Sequence, residues 1–204
     1  MSRSMKHWYV TGPERIEGVE EPIPTPGPGE VLARITHSAI SPGSNVHVYR
    51  TGTYKPVWDG ERTEALYMTA GVIESVGAGV DPGRVGQRVV LSGLGHQGYG
   101  VVSEERAIPI PDGLDSRDAS LAYLCSWSVS ALHLGEYAAA ETVVVVGMGL
   151  VGSSAALVAD LNGARVLALD ADPARVAFAR TLGLGAVELA GGEGADERIA
   201  AFLG

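Results

Sequence analysis

The sequence predicts an α/β plus β chain: a compact, irregular β-barrel followed by a parallel βαβαβ unit. Two observations carry that prediction. Through residues 5–110, short strand-like runs are punctuated by Gly, Pro and Asp clusters, which suits antiparallel strands and tight turns. From about residue 142, apolar β-branched runs alternate with helical stretches, a pattern that requires parallel strands with crossover helices.

In chain order, the strand candidates of the first part are HWYV, EVLARITHSA, ALYMTAGVIESVG, QRVVLSG and YGVVSEERAIPI, separated by the turn clusters TPGPGE (25–30), GAGVDPGRVG (77–86) and PDG (111–113). Residues 118–135, DASLAYLCSWSVSALHLG, carry apolar residues at helical spacing and end on Gly, which predicts one helix. The second part reads as strand 142–146, helix from about 149 to 162, strand 165–169, helix 173–182 and strand 186–189. Asp172 is placed to cap the second of these helices, Pro173 suits its first turn and Gly183 its end. The boundary between the parts is expected near residue 138, giving domains 1–137 and 138–204.

The 204 residues suffice for one large or two small domains, with 46 % hydrophobic and 19 % charged residues and no long biased tract. A net charge of −9 with scattered basic residues argues against a nucleic-acid partner. Nothing approaches the apolar run of about 20 residues that a membrane span needs, and MSRSMKHWYV has no apolar signal core. A cytoplasmic protein with no membrane partner is expected. One cysteine, Cys125, leaves no internal disulfide and no zinc site built from several cysteines.

VVVVGMGLVG, residues 143–152, carries the main functional signal. A GxGxxG stretch after a strand and before a helix suits a dinucleotide pyrophosphate. Gly147 permits a tight turn, Gly149 lets the backbone approach the phosphates, and Gly152 allows close helix–strand packing. The amides of Met148, Leu150 and Val151 share that loop, and the helix N-terminus favours an anion. Asp170 lies eighteen residues past Gly152 at the end of the next strand. A carboxylate there accepts from both adenosine-ribose hydroxyls and repels a 2′-phosphate, which favours NAD(H) over NADP(H).

Taken in order, several stretches resemble the medium-chain dehydrogenase/reductase family, the zinc-alcohol-dehydrogenase-like proteins. TGPERIEGVEEPIPTPGPGEVLARI is similar to its first strands, and AGVIESVGAGV, GQRVV and GHQGYGVVSEERAIPIPDGL to its GroES-like domain. VVVVGMGLVG and ALDADPARVAFARTLGLGAVE are similar to the start of its Rossmann domain. The resemblance implies a GroES-like substrate domain (1–137) and a partial Rossmann dinucleotide-binding domain (138–204).

The departures from that pattern are informative. Where zinc members carry a cysteine in a GICGSDLH-like motif, AISPGSNVH here places Pro42; where they carry a GHE motif, LYM places Tyr67 and Met68. Cys125 matches a third ligand, but one thiolate does not hold catalytic zinc. The four-cysteine structural lobe is missing as well. The resemblance therefore implies a zinc-independent member. Ser44 and His47 match the hydroxyl and imidazole that relay a proton in many family alcohol dehydrogenases, and their spacing of three puts them on one face of a short helix. Tyr67, at the former ligand position, is a candidate proton donor to a carbonyl oxygen. Tyr49, Tyr54 and Trp58 fall in a loop that borders the family's substrate cleft, and Arg175 matches a basic position that reaches the adenosine ribose. His7, His37, His96 and His133 show no ligand spacing and are expected as surface or satisfied core residues.

A complete dinucleotide fold has six strands, and the sequence supplies the first three. The VVVV strand is then expected to have one open edge, which seeks a strand from another copy or another protein. Three readings stand at this point. The first is an NAD(H)-dependent, zinc-independent oxidoreductase of an alcohol or carbonyl small molecule, its site completed by dimerisation, with Tyr67, Ser44 or His47 handling the proton. The second is a redox-neutral, cofactor-free enzyme of the GroES-like cleft, catalysing a cyclisation, dehydration or isomerisation. The third is a non-catalytic remnant.

Overall fold

In the computed structural model, which describes residues 3–65, 68–138 and 140–204, the chain divides into two compact units, Met1–Tyr123 and Leu124–Gly204. The first unit contains β1 (Ser4–Gly12), β2 (Arg15–Pro22), β3 (Glu30–Ala39), α1 (Ser44–Thr51), β4 (Thr63–Glu64), β5 (Met68–Val76), β6 (Arg88–Ser92), β7 (Tyr99–Ser103), β8 (Ala107–Pro109) and α2 (Ser116–Ala119). The helix α3 (Ala122–Leu134) leads into β9 (Thr142–Val146), α4 (Leu150–Leu161), β10 (Arg165–Asp170), α5 (Pro173–Thr181), β11 (Ala186–Leu189) and α6 (Ala195–Leu203).

The first unit, expected as a β-barrel, is built as two antiparallel sheets. One has the strand order β2-β1-β4, the other β7-β3-β5-β6-β8. The segment 96–98 joins them: the Trp8 amide donates to the His96 carbonyl (2.9 Å), and the Gly98 carbonyl accepts from Ile35 (2.9 Å). Alternation along β1 turns Met5, His7 and Tyr9 inward, as a period of two requires. Val31, Ala33, Ile73, Val89, Leu91 and Val102 form the core of the larger sheet.

The second unit is a three-stranded parallel sheet in the order β11-β10-β9. Every element expected between 142 and 189 forms within a residue or two of its expected bounds. Ala156 and Ala159 of α4 are fully buried against Val166 and Ala168 of β10, so small side chains bring the helix close to the sheet. Asp172 caps α5 by accepting from the Ala174 amide (2.8 Å). Pro173 sits in the first turn, and Gly183 follows the helix at φ +82°. β9 lies at the end of the sheet with Val146 78 % exposed, the open edge that the sequence predicts.

One expectation is corrected. The helix expected over 118–135 is two helices, α2 and α3. The Ser120 amide donates to both Ser116 and Arg117, and the Ser120 hydroxyl to the Arg117 carbonyl (2.6 Å), which closes α2. The units divide at 123/124. The cause is α3: Leu132 and Tyr137 pack on the second core, and the buried Ser128 hydroxyl donates to the Val151 carbonyl (2.9 Å). Among the described residues, no helix is long and apolar enough to cross a membrane.

Candidate functional site

The candidate site lies where β9 turns into α4. Gly147 adopts φ +97°, in the left-handed region open to glycine, and its amide donates to the Leu169 carbonyl (2.7 Å). Met148 anchors the loop by burying its side chain in the core. Gly149 is the N-cap of α4, and no side chain caps the first turn. The helix N-terminus, with its unpaired amides and partial positive charge, is thus left to an external anion.

The other two glycines play opposite parts. A Cβ on Gly152 would sit 1.7 Å from the Gly147 carbonyl oxygen, so no side chain fits there. Its expected role is refined: the close approach is chiefly to the loop's own backbone. A Cβ on Gly149 would meet nothing within 4 Å. The protein itself does not require glycine at 149, but a ligand approaching the backbone would. Leu150 and Val151 open the helix, Val151 with 42 % of its surface exposed.

Asp170 closes the site from the next strand. It is buried at 7 % exposure, with one carboxylate oxygen accepting from the Met148 amide (2.6 Å) and the other from the Asp172 amide (2.8 Å). The Asp172 and then the Met148 amide hold its carboxyl below the usual carboxylate range, with Arg175 adding to the effect. Arg175 reaches Asp170 at 3.7 Å and Asp172 at 3.9 Å from a half-exposed position. Two bonds leave an ionised carboxylate further lone pairs. The carboxylate therefore both braces the glycine loop and remains an acceptor for a diol. These residues fit the adenosine ribose and pyrophosphate of NAD(H).

The first unit holds the remaining candidates. Ser44 is half-buried at the start of α1 and His47 exposed on it. Tyr67 lies outside the described residues. Met68 is fully buried in β5 and Cys125 is partly buried in α3. Pro42 offers no ligand atom, and among the described residues no three His, Cys, Asp or Glu side chains converge on a metal position. The residues at the family's zinc positions that can be described do not fit that ion.

The three aromatics do not form one wall. Tyr49 lines an apolar cleft of about 260 Å³, Tyr54 lines a separate polar one of about 310 Å³, and Trp58 packs over Gly12 and Gly52. The Trp58 indole donates to the Glu61 carbonyl (3.0 Å), which fixes it as a loop brace.

Sequence reasoning missed a buried polar cluster. The Tyr9 hydroxyl donates to Glu21 (3.0 Å) and lies 2.8 Å from His7 Nδ1, which is 3.1 Å from the same carboxylate. Arg62 pairs with Glu21 (3.2 Å) and stacks 4.0 Å from the Tyr9 ring centroid. Burial, then the Glu21 hydrogen bond and charge, push the Tyr9 phenol up to about 12. Burial acts to raise the Glu21 carboxyl, but bonds from Tyr9 and His7 hold it below its ordinary value. Inward alternation at His7 and Tyr9 was the available signal. Among the histidines, His37 and His133 are exposed. His7 is buried with Nδ1 bonded, but among the described residues its Nε2 has no hydrogen-bond partner and only Glu64 nearby at 3.9 Å, so it is a partly satisfied core residue.

No family model matches the chain. It is 31 % identical to an L-threonine 3-dehydrogenase of Rhizobium johnstonii over 224 residues, covering 90 % of this chain and 62 % of that protein. It is 28 % identical to an uncharacterized zinc-type alcohol dehydrogenase-like protein of Escherichia coli K12, covering 89 % and 62 %. The chain thus spans less than two thirds of the length of these relatives. Among solved structures, a putative alcohol dehydrogenase of Sinorhizobium meliloti 1021 superposes with a TM-score of 0.82 at 25 % identity, covering 100 % of this chain and 67 % of that one. Its relatives, its fold and its glycine loop place this chain in the medium-chain dehydrogenase/reductase family.

Proposed function

We propose that the chain is a zinc-independent oxidoreductase that uses NAD(H) on an alcohol or carbonyl small molecule. In this reading the first unit is a GroES-like substrate domain and the second a partial Rossmann domain. The observation that carries the proposal is the Asp170 carboxylate, fixed by the Met148 and Asp172 amides beside the open Gly149. It selects a free ribose diol by accepting hydrogen bonds and disfavours a 2′-phosphate by charge. Gly147, Gly149 and the first turn of α4 receive the pyrophosphate, with Leu150 and Val151 contributing amides. Arg175 lies beside the carboxylate and is suited to the ribose edge. The nicotinamide supplies the hydride when bound. Ser44, His47 and Tyr67 are the residues proposed to hold or move the proton of the substrate oxygen.

The free edge of β9 is proposed to take a strand from a second copy, giving a homo-oligomer. Sedimentation of the purified chain tests this, and a monomer at all concentrations would overturn it. The redox reading is tested by following the reduced nicotinamide absorbance against a panel of alcohols and carbonyls. Turnover that is lost in Asp170→Ala is the expected result. Turnover of a substrate without any nucleotide, unaffected by that substitution, would overturn it in favour of a redox-neutral reaction.

A further inference from the structure

The smaller sheet of the first unit buries a titratable side chain that the proposed reaction does not use. His7, in β1, is buried where segment 96–98 joins the two sheets. Around it stand Tyr9 on the same strand, Glu21 on β2, Arg62 and Glu64 at β4, and His96 on the joining segment. Its Nδ1 lies 2.8 Å from the Tyr9 hydroxyl and 3.1 Å from Glu21. Its Nε2 is buried without a hydrogen-bond partner among the described residues, with a Glu64 carboxylate oxygen 3.9 Å away. Gly95 keeps that gap open: a Cβ there would lie 3.0 Å from Nε2 and 3.5 Å from Glu64.

A neutral imidazole has one N–H and one bare nitrogen. With the proton on Nδ1, the inner side is satisfied, because the Tyr9 hydroxyl donates to Glu21 and its oxygen accepts from the ring. Nε2 is then a buried lone pair beside a carboxylate. With the proton on Nε2 instead, bare Nδ1 faces a Glu21 oxygen at 3.1 Å. Each neutral tautomer therefore sets a lone pair against a carboxylate, whereas the imidazolium offers a donor to both. Arg62 offsets part of the Glu21 charge at 3.2 Å. Burial, then the neighbouring His7, lower the His96 pKa, so His96 brings no second positive charge near pH 7.

We propose that His7 is a proton-operated clamp: its imidazolium joins Glu21 of β2 to Glu64 of β4, and loss of the Nε2 proton releases β4. β4 is two residues long and pairs with β1 at Tyr9 and Val10, so one ion pair is a large share of its attachment. It closes the stretch 53–64, whose Thr53, Lys55, Asp59, Arg62 and Glu64 line the polar cleft of about 310 Å³. Histidine is the side chain that ordinarily changes charge between about pH 5 and 8. Acid within that range orders the wall of this cleft, and alkali loosens it. The inference rests neither on nucleotide binding nor on the redox reading.

The test is NMR of the 204-residue chain from about pH 8 down to about pH 5. It follows the His7 ring nitrogens, assigned by their loss in His7→Gln, and amide exchange over residues 53–64, corrected for the intrinsic pH dependence of exchange. Nε2 is expected to gain a proton as the pH falls. Protection over 53–64 should rise about three- to fivefold, while that of Val89 and Leu91 in the larger sheet stays constant. Glu64→Gln removes the charge from a partly exposed side chain at nearly constant size, so it should keep the fold and lose the rise. If His7→Gln does not fold, through-bond correlations assign the ring and Glu64→Gln decides alone. An Nε2 that keeps one protonation state throughout, protection that does not rise, or an equal rise in Glu64→Gln would overturn the inference.

Discussion

Each unit holds a hydrogen-bonded carboxylate, buried Asp170 in the second and partly buried Glu21 in the first, and the two are held differently. Asp170 is braced by two backbone amides, from Met148 and Asp172. Glu21 is surrounded by the side chains of Tyr9, His7 and Arg62. Backbone donors come with the fold and leave the outer lone pairs of Asp170 toward an open loop. Side-chain donors surround Glu21 and spend its capacity internally. An acid is ready for a ligand when the main chain holds it and open space lies beside it; ringed by side chains, it serves as a brace. By this criterion the ligand site belongs to the second unit and the His7–Tyr9–Glu21 cluster to the framework of the first.

The largest expected effect comes from Gly152→Ala. Its Cβ would overlap the Gly147 carbonyl at 1.7 Å, so the loop must rebuild. A loss of more than about 3 kcal/mol is expected, measured as early thermal unfolding together with loss of NADH binding. Gly149→Val separates ligand from fold. Its Cβ meets no protein atom within 4 Å and its extended φ of −74° suits any residue. The melting temperature should hold while NADH affinity falls about tenfold or more, a loss of about 1.4 kcal/mol. Equal affinity would remove the pyrophosphate from this loop.

Glu21→Ala tests the other side of the comparison. It leaves the buried Tyr9 hydroxyl and His7 without their acceptor, which costs about 1–3 kcal/mol. NADH affinity should be unchanged; a parallel loss would mean that the cluster serves the ligand. The smallest effect is a pH dependence. Tyr9 titrates higher folded, at about 12, than unfolded, at about 10. The stability this gives is complete below the unfolded value and is lost as pH rises through the folded one. Denaturant unfolding should therefore weaken between those values in the natural chain and less so in Tyr9→Phe.

The second unit was legible because its signals are local. Pro173, Asp172 and Gly183 mark helix ends by their own chemistry, and the VVVV run precedes the glycines directly. The first unit mixes local and distant causes. β2 escapes a periodicity reading because RIEGVEEP exposes nearly every residue and pairs only with β1. The break between α2 and α3 depends on where Ser120 sends its hydrogen bonds, which apolar spacing does not encode. The same limit applies to the site. Gly147, Gly149 and Asp170 announced themselves by spacing. The Asp170 bond to the Met148 amide, and the meeting of His96 with Tyr49 around one cleft, exist only once distant segments pack.

The most direct test of the central claim is a calorimetric titration of the 204-residue chain with NADH and with NADPH, repeated on Asp170→Ala. The expected result is saturable NADH binding, weaker NADPH binding, and a smaller difference between the two in the variant. No NADH binding at cofactor concentrations of about 1 mM, or an equal affinity for both cofactors in the natural chain, would contradict the assignment of the Asp170 site to NAD(H).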